Sequence, residues 1–170
     1  LQDEVAADAY IILDGIDMAL INALQKPVLI NSVTQTLIRL GAGKNIVRIN
    51  GWNGFLQRKT WEAAGAITEE SSQVFIALKK EIIQVQDEPG LVAARTVSMI
   101  INEAYFALGE NVSTKEEIDI AMKLGTNYPY GPFDWANKID VKNIYELLHT
   151  LSENNNRYLP SPLLKKEATA

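Results

Sequence analysis

The sequence predicts an α/β layer followed by an all-α half. In the first 86 residues, four short runs, 10–13 (YIIL), 28–31 (VLIN), 46–49 (IVRI) and 82–85 (IIQV), are almost wholly apolar rather than alternating, the pattern of parallel strands buried on both faces. The 14 to 32 residues between them leave room for crossover helices. After "DEPG" at 87–90 the apolar spacing becomes helical and the segments stop at glycines.

Each element follows in order. The run 46–49 passes into Asn50, Gly51, Trp52, Asn53 and Gly54, a lip of amides and glycines of the kind that borders a site, and an amphipathic stretch then leads to Glu62. A helix is expected over 69–80, with Glu69, Glu70, Lys79, Lys80 and Glu81 as a solvated face. The boundary falls near Asp87, dividing the chain into 1–86 and 87–170. Pro89 can begin a helix over 91–108 that stops at Gly109; its apolar residues surround it almost completely, so it should be buried by more than one neighbour. Ser113 and Glu116 have capping-box spacing, ahead of a helix whose Ile118, Ala121 and Met122 face inward and which ends at Gly125. A further helix over 141–152 carries Val141, Ile144, Tyr145, Leu148 and Leu151 on one side. Between these two lies "NYPYGPFDW", 127–135, a rigid corner built to pack. No internal repeat or low-complexity run is present.

Composition sets limits. With 170 residues, 47% of them hydrophobic, the chain can bury a substantial core in one domain or two small ones. Its 16 Lys+Arg against 21 Asp+Glu, without a basic run, lack the footprint of a nucleic-acid binder. No Cys is present, which removes disulfides, thiolate nucleophiles and cysteine-ligated metals and makes a cytoplasmic setting the expectation. Arg39, Arg95 and Glu103 interrupt the longest apolar stretches, so no membrane span or membrane partner is expected. The single histidine, His149, lies on a helix flank in "ELLHTL" with no Ser or Asp signature around it and reads as a surface or partly packed residue. The chain starts at Leu1 rather than Met, and the sequence leaves open whether residues precede it.

The wording of the second half is specific. "EIDIAMKLGTNYPYGPFDW" (117–135), "INEAYFALGENVS" (101–113) and "RYLPSPLLKK" (157–166) closely resemble the C-terminal domain of the 3-hydroxyacyl-CoA dehydrogenase family over residues 87–170. More faintly, "ADAYIILDGI" (7–16) resembles that family's fourth Rossmann strand, "VLINSVTQT" (28–36) its next strand and turn, and "IVRINGWNGFLQRKTWEAA" (46–64) the segment bearing its catalytic histidine. The resemblance implies a truncated Rossmann-like parallel sheet that starts partway through the dinucleotide-binding domain, followed by the helical dimerisation domain.

It also implies a chemistry, NAD-dependent oxidation of 3-hydroxyacyl-CoA to 3-ketoacyl-CoA in fatty acid metabolism, in which a histidine takes the hydroxyl proton and a glutamate on the following helix steadies it. Asn50 occupies the histidine's position, Asn53 matches the neighbouring asparagine, and Glu62 matches the glutamate. An amide is far too weak a base for that proton. Val33 stands where the resemblance places a hydroxyl-binding serine, with Ser32 or Thr34 in that role if the match shifts by one. Ala94 in "PGLVAAR" replaces an asparagine, and Arg95 matches the arginine.

A dinucleotide site needs G-x-G-x-x-G after a first strand. The close glycine pairs, "GAG" at 41–43 and "GWNG" at 51–54, lack the third glycine, so no cofactor-binding residues are assigned and no metal site is expected. Three functions remain: a degenerate family member that dimerises or contacts acyl-CoA without turnover, the ordered part of a longer working NAD-dependent dehydrogenase, or a purely structural interaction module. The first is favoured, as a homodimer through the helical half.

Overall fold

The computed structural model describes residues 7–170; the opening of the expected first domain, 1–6, lies outside the described residues. The chain divides into two compact units, residues 1–92 and 93–170, each described by itself. The segment from Asp87 to Gly90 packs on the first unit.

The first unit is a five-stranded sheet in the order β1 (Tyr10–Ile12), β2 (Val28–Asn31), β3 (Ile46–Ile49), β4 (Thr60–Ala64), β5 (Glu81–Gln84). β1, β2 and β3 run parallel. β4 turns back antiparallel to β3, and β5 lies parallel to β4. The sheet is therefore mixed, and β4 corrects the expectation of four parallel strands. The sequence TWEAA hides this strand because Glu and two Ala lack strand character, while the pairing it makes supplies what propensity does not. β5 starts one residue earlier than expected.

The apolar runs are buried as their uniformity requires: Val28, Leu29, Ile30 and Val47 are fully inaccessible. One face stacks Leu29, Val47, Ile49, Trp61 and Ala63 under Phe75 of α3 (Glu69–Ala77), with Trp61 and Phe75 edge to face at 6.4 Å. The other carries Val28, Ile30 and Ile46 against Ile21 of α1 (Met18–Ala23). Each such buried side chain contributes about 1.5–3 kcal/mol. The short helices form because side chains cap them. Asp17 accepts from the amides of Ala19 and Leu20 at the start of α1, and Thr36 accepts from Arg39 at the start of α2 (Leu37–Leu40), which ends at Gly41 with φ 60°, a left-handed conformation suited to glycine. In α3, Thr68 and Ser71 form a reciprocal capping box.

The second unit is all helical, with α4 (Ala93–Gly109), α5 (Lys115–Thr126), α6 (Pro132–Ile139), α7 (Val141–Ser152) and α8 (Pro162–Ala168). α4 begins two residues later than expected, because Leu91 holds a positive φ of 50° outside helical geometry. Its buried face carries Ala94, Val97, Ile101, Ala104 and Tyr105 and packs against α6, α7 and α8, more than one neighbour as expected, while Glu103 is exposed. The capping box of α5 is Thr114 with Glu117, not Ser113 with Glu116; Ser113 instead donates its hydroxyl to Glu117. The inward residue of α5 is Asp119 rather than its apolar residues, and Ala121 is exposed. α7 buries Ile144, Leu147, Leu148 and Leu151.

The aromatic corner has a specific architecture. α6 lacks a capping side chain at Gly131, and Asp119 reaches over from α5 to accept the amides of Phe133 and Asp134 at 2.8 and 3.0 Å. A Cβ on Gly131 would lie 2.2 Å from that carboxylate. Behind the corner, Asn102 ties α4 to the C-terminal segment, donating to the Leu159 carbonyl at 2.9 Å and accepting the Ser161 amide at 2.8 Å. No helix among the described residues is long and apolar enough to cross a membrane.

Candidate functional site

Because β1, β2 and β3 are parallel, their C-terminal ends emerge along one edge of the sheet, the edge at which open α/β sheets bind ligands. Asn31 joins all three ends. Its Nδ2 donates to the Leu13 carbonyl at 3.1 Å, and its Oδ1 accepts the Gly51 amide at 2.9 Å. The chain crosses so close that a Cβ on Gly51 would stand 2.6 Å from the Asn31 side chain. The glycine of the lip thus serves a packing need.

The lip that follows β3 is anchored underneath. Trp52 and Phe55 are buried, the Trp61 indole donates to the Leu56 carbonyl at 3.1 Å, and Lys80 donates to the carbonyls of Leu56 and Arg58 at 2.8 and 2.9 Å while lying 4.8 Å over the Trp61 ring.

Asn50 is the buried residue at the root of this lip, 5% exposed. Its Oδ1 accepts the Trp52 amide at 3.2 Å, which fixes which end of the amide is oxygen. The Nδ2 is buried and has no hydrogen-bond partner. β3 pairs Arg48 with Ala64 and Ile49 with Ala63; Asn50 is the first residue past β3, and Glu62 is the residue of β4 before Ala63. Glu62 therefore stands on a strand, β4, rather than on a helix. The lip turns the chain back so that β4 runs antiparallel to β3.

The other expected positions are placed as follows. Val33 is buried at 4% exposure just past β2. Ser32 is buried with its hydroxyl committed to the Gln35 carbonyl at 2.9 Å, and Thr34 is half-buried. Asn53 is exposed on the lip. Ala94 is fully buried in α4 and belongs to the second unit, as does His149, exposed on α7 with its ring 5.8 Å from that of Tyr145.

Arg48 was not singled out by sequence. It sits in the middle of β3 with no accessible surface, donating from Nε to the Ser32 carbonyl at 2.7 Å, from Nη2 to the carbonyls of Val33 and Glu88 at 3.3 and 3.0 Å, and from Nη1 to the Asp87 carboxylate. Asp87 in turn accepts the Leu37 amide at the start of α2. Burial pulls the Arg48 pKa below its ordinary value, opposed by the Asp87 charge. The available signal was a lone arginine inside a wholly apolar run, which requires a buried partner.

The glycine pairs do not suit a dinucleotide. Gly41 is the helix stop of α2, Gly43 faces the Asn22 and Asn45 side chains, and Gly51 is filled by Asn31; none opens a helix toward a pyrophosphate. Among the described residues no group of three His, Cys, Asp or Glu could hold a metal ion. What the edge of the sheet offers is a buried donor at Asn50. The amide can donate a hydrogen bond but cannot take a proton.

Residues 90–170 match the family model "3-hydroxyacyl-CoA dehydrogenase, C-terminal domain". The chain is 44% identical over 91 residues to 3-hydroxyadipyl-CoA dehydrogenase of Escherichia coli, covering 52% of this chain and 19% of that protein. It is 37% identical over 106 residues to 3-hydroxybutyryl-CoA dehydrogenase of Bradyrhizobium diazoefficiens, covering 61% of this chain and 36% of that protein. Among solved structures, 3-hydroxybutyryl-CoA dehydrogenase from Escherichia coli K12 superimposes with a TM-score of 0.69 at 35% identity, over 83% of this chain and 31% of that one. (S)-3-Hydroxybutyryl-CoA dehydrogenase from Ralstonia eutropha shares the fold with a TM-score of 0.75 at 23% identity, over 92% of this chain and 64% of that one. The matched region spans well under half of each of the curated relatives. Residues 90–170 thus carry a domain that matches the 3-hydroxyacyl-CoA dehydrogenase C-terminal domain, and the chain resembles 3-hydroxyacyl-CoA dehydrogenases in sequence and fold.

Proposed function

We propose that this chain is a member of the family that contacts acyl-CoA without turning it over. The observation that carries the reading is Asn50. It occupies the position that the sequence resemblance gives to the histidine base, its oxygen is held by the Trp52 amide, and its other end can only donate. Val33, standing where the resemblance implies a hydroxyl-binding serine, supports the same reading. Loss of a general base alone removes about a hundredfold to ten-thousandfold in rate.

The test is direct. The purified 170-residue chain, given 3-hydroxybutyryl-CoA and NAD, is expected to produce no NADH while binding acyl-CoA measurably by calorimetry. Saturable NADH formation would overturn the reading, and Glu62→Gln would then identify the surviving carboxylate as the base if it abolished the rate. The proposal includes a cytoplasmic homodimer through the helical unit. Val112, Ile120 and Leu124 of that unit are 68%, 53% and 83% exposed, apolar surface that a second copy would cover; light scattering that finds only monomer would remove this part.

A further inference from the structure

We infer that the lip carries a modification site, at which Asn53 loses its amide by ring closure with Gly54, while Asn50 in the same dipeptide is held unreactive by the fold. The inference goes beyond the acyl-CoA reading and does not depend on it.

Asn-Gly occurs twice in the sequence, at 50–51 and 53–54. In this dipeptide the backbone nitrogen of the glycine can attack Cγ of the asparagine, because no Cβ on the following residue shields it. The N–Cγ bond forms, the Cγ–Nδ2 bond breaks, and ammonia leaves with the proton given up by the glycine nitrogen. Water then opens the cyclic imide at either carbonyl and restores the N–H. Opening at Cγ gives aspartate, and opening at the main-chain carbonyl gives isoaspartate, whose backbone is longer by a methylene. No oxidant or reductant takes part.

The reaction needs a disengaged glycine amide, room to turn the asparagine, and water. Asn50 has none of these. The Gly51 amide donates to Asn31 Oδ1 at 2.9 Å, and Asn50 Oδ1 accepts the Trp52 amide at 3.2 Å. A Cβ on Gly51 would stand 2.6 Å from the Asn31 side chain, so the backbone there is packed too closely to turn, and Asn50 is only 5% exposed. At Asn53 the conditions are reversed. Asn53 is exposed in a turn, Gly54 holds a φ of 92°, and among the described residues neither the Asn53 side chain nor the Gly54 amide makes a hydrogen bond. Trp52 and Phe55, which flank this dipeptide, are buried. The change therefore falls on the exposed turn between two anchors, where it places a carboxylate that is ionised at neutral pH.

Incubation of the folded 170-residue chain in mildly alkaline buffer, then tryptic digestion and electron-transfer fragmentation of the peptide 49–58, locates the modification, with an unincubated sample correcting for change during digestion. Asn53 is expected to convert about tenfold or more faster than Asn50, because the Gly51 amide must first lose its hydrogen bond and open locally. Both aspartate and isoaspartate are expected at position 53. In urea the two sites are expected to convert at similar rates, since only the fold separates them. Equal rates in the folded chain, or conversion of Asn53 only after unfolding, would overturn the inference. Aspartate without isoaspartate at position 53 would overturn it as well, by removing ring closure as the route.

Discussion

Arg48 and Asp87 form an ion pair in which the arginine has no accessible surface and the aspartate side chain keeps 21% of its own. The pair joins the middle of β3 to the segment that follows β5, and Asp87 also holds the first amide of α2. Removing the carboxylate would leave a buried guanidinium without its countercharge. Asp87→Ala is therefore expected to lower stability by about 3 kcal/mol, the low end for breaking a buried pair because Asp87 is partly solvated. Urea unfolding measures it. The double variant Arg48→Met with Asp87→Leu should be less destabilised than the sum of its single changes, since the uncompensated charge is gone.

The corner at 127–135 gives a second expectation. Asp119 performs for α6 the capping that Gly131 cannot, so Asp119→Ala should cost about 1–2 kcal/mol. Gly131→Ala should cost about 1–3 kcal/mol, not through backbone strain, since φ at Gly131 is −72°, but because its Cβ would strike the Asp119 carboxylate. In the double variant the clash disappears with the carboxylate, and the two losses should not add. Additive losses by chemical denaturation would place the glycine's role elsewhere.

These two features mark the limit of what the sequence displays. The runs 28–31 and 46–49 announced their burial by being apolar at every position, and α7 announced its face by spacing. β4 was concealed because Glu62, Ala63 and Ala64 have no strand bias of their own, and the strand is held by β3 on one side and β5 on the other. α1 and α2 are too short for periodicity to register; their caps are the only local signal. At the site, the distance of twelve residues between Asn50 and Glu62 was legible from the resemblance, but the return of the chain as β4, antiparallel to β3 and bearing Glu62, was not. Arg48 and Asp119 escaped notice because their partners lie 39 and 14–15 residues away, and a buried charge is explained only by what it meets.

Tyr105 carries a pH dependence. Burial first, then the hydrogen bond and charge of Glu167, raise its hydroxyl above the ordinary 10.0. The unfolded chain then releases this proton at lower pH than the folded one. The stabilisation is fully present below pH 10 and is lost as pH rises from there through the folded value. The urea midpoint should fall on the alkaline side of pH 10, and Tyr105→Phe should flatten part of that fall. Glu167→Gln should move phenolate formation, followed by ultraviolet absorbance, to lower pH in the folded protein. A phenolate that titrates unchanged in that variant would remove Glu167 as a cause.

The last expectation concerns the sheet's β1 edge. β1 pairs with β2 alone, and among the described residues no strand lies on its other side. The Tyr10 amide is bonded to the Pro27 carbonyl at 2.9 Å, and alternation along the strand turns the Ile11 amide the opposite way. Ile11 is 41% exposed and Leu13, just beyond the strand, 45%. A short, uncharged, apolar edge of this kind recruits other strands unless something covers it. In its native setting the edge should be capped, by further chain or by another protein, and the 170-residue chain alone should self-associate through it. Hydrogen exchange should then find the Tyr10 amide slow in dilute protein and the Ile11 amide fast, becoming slow as association proceeds. Ile11→Lys should suppress that association while leaving the helical unit's melting unchanged, because the charge falls on the edge and not in the core. If the Ile11 amide of the unaltered chain still exchanges freely at high concentration, this edge tolerates solvent and needs no cap.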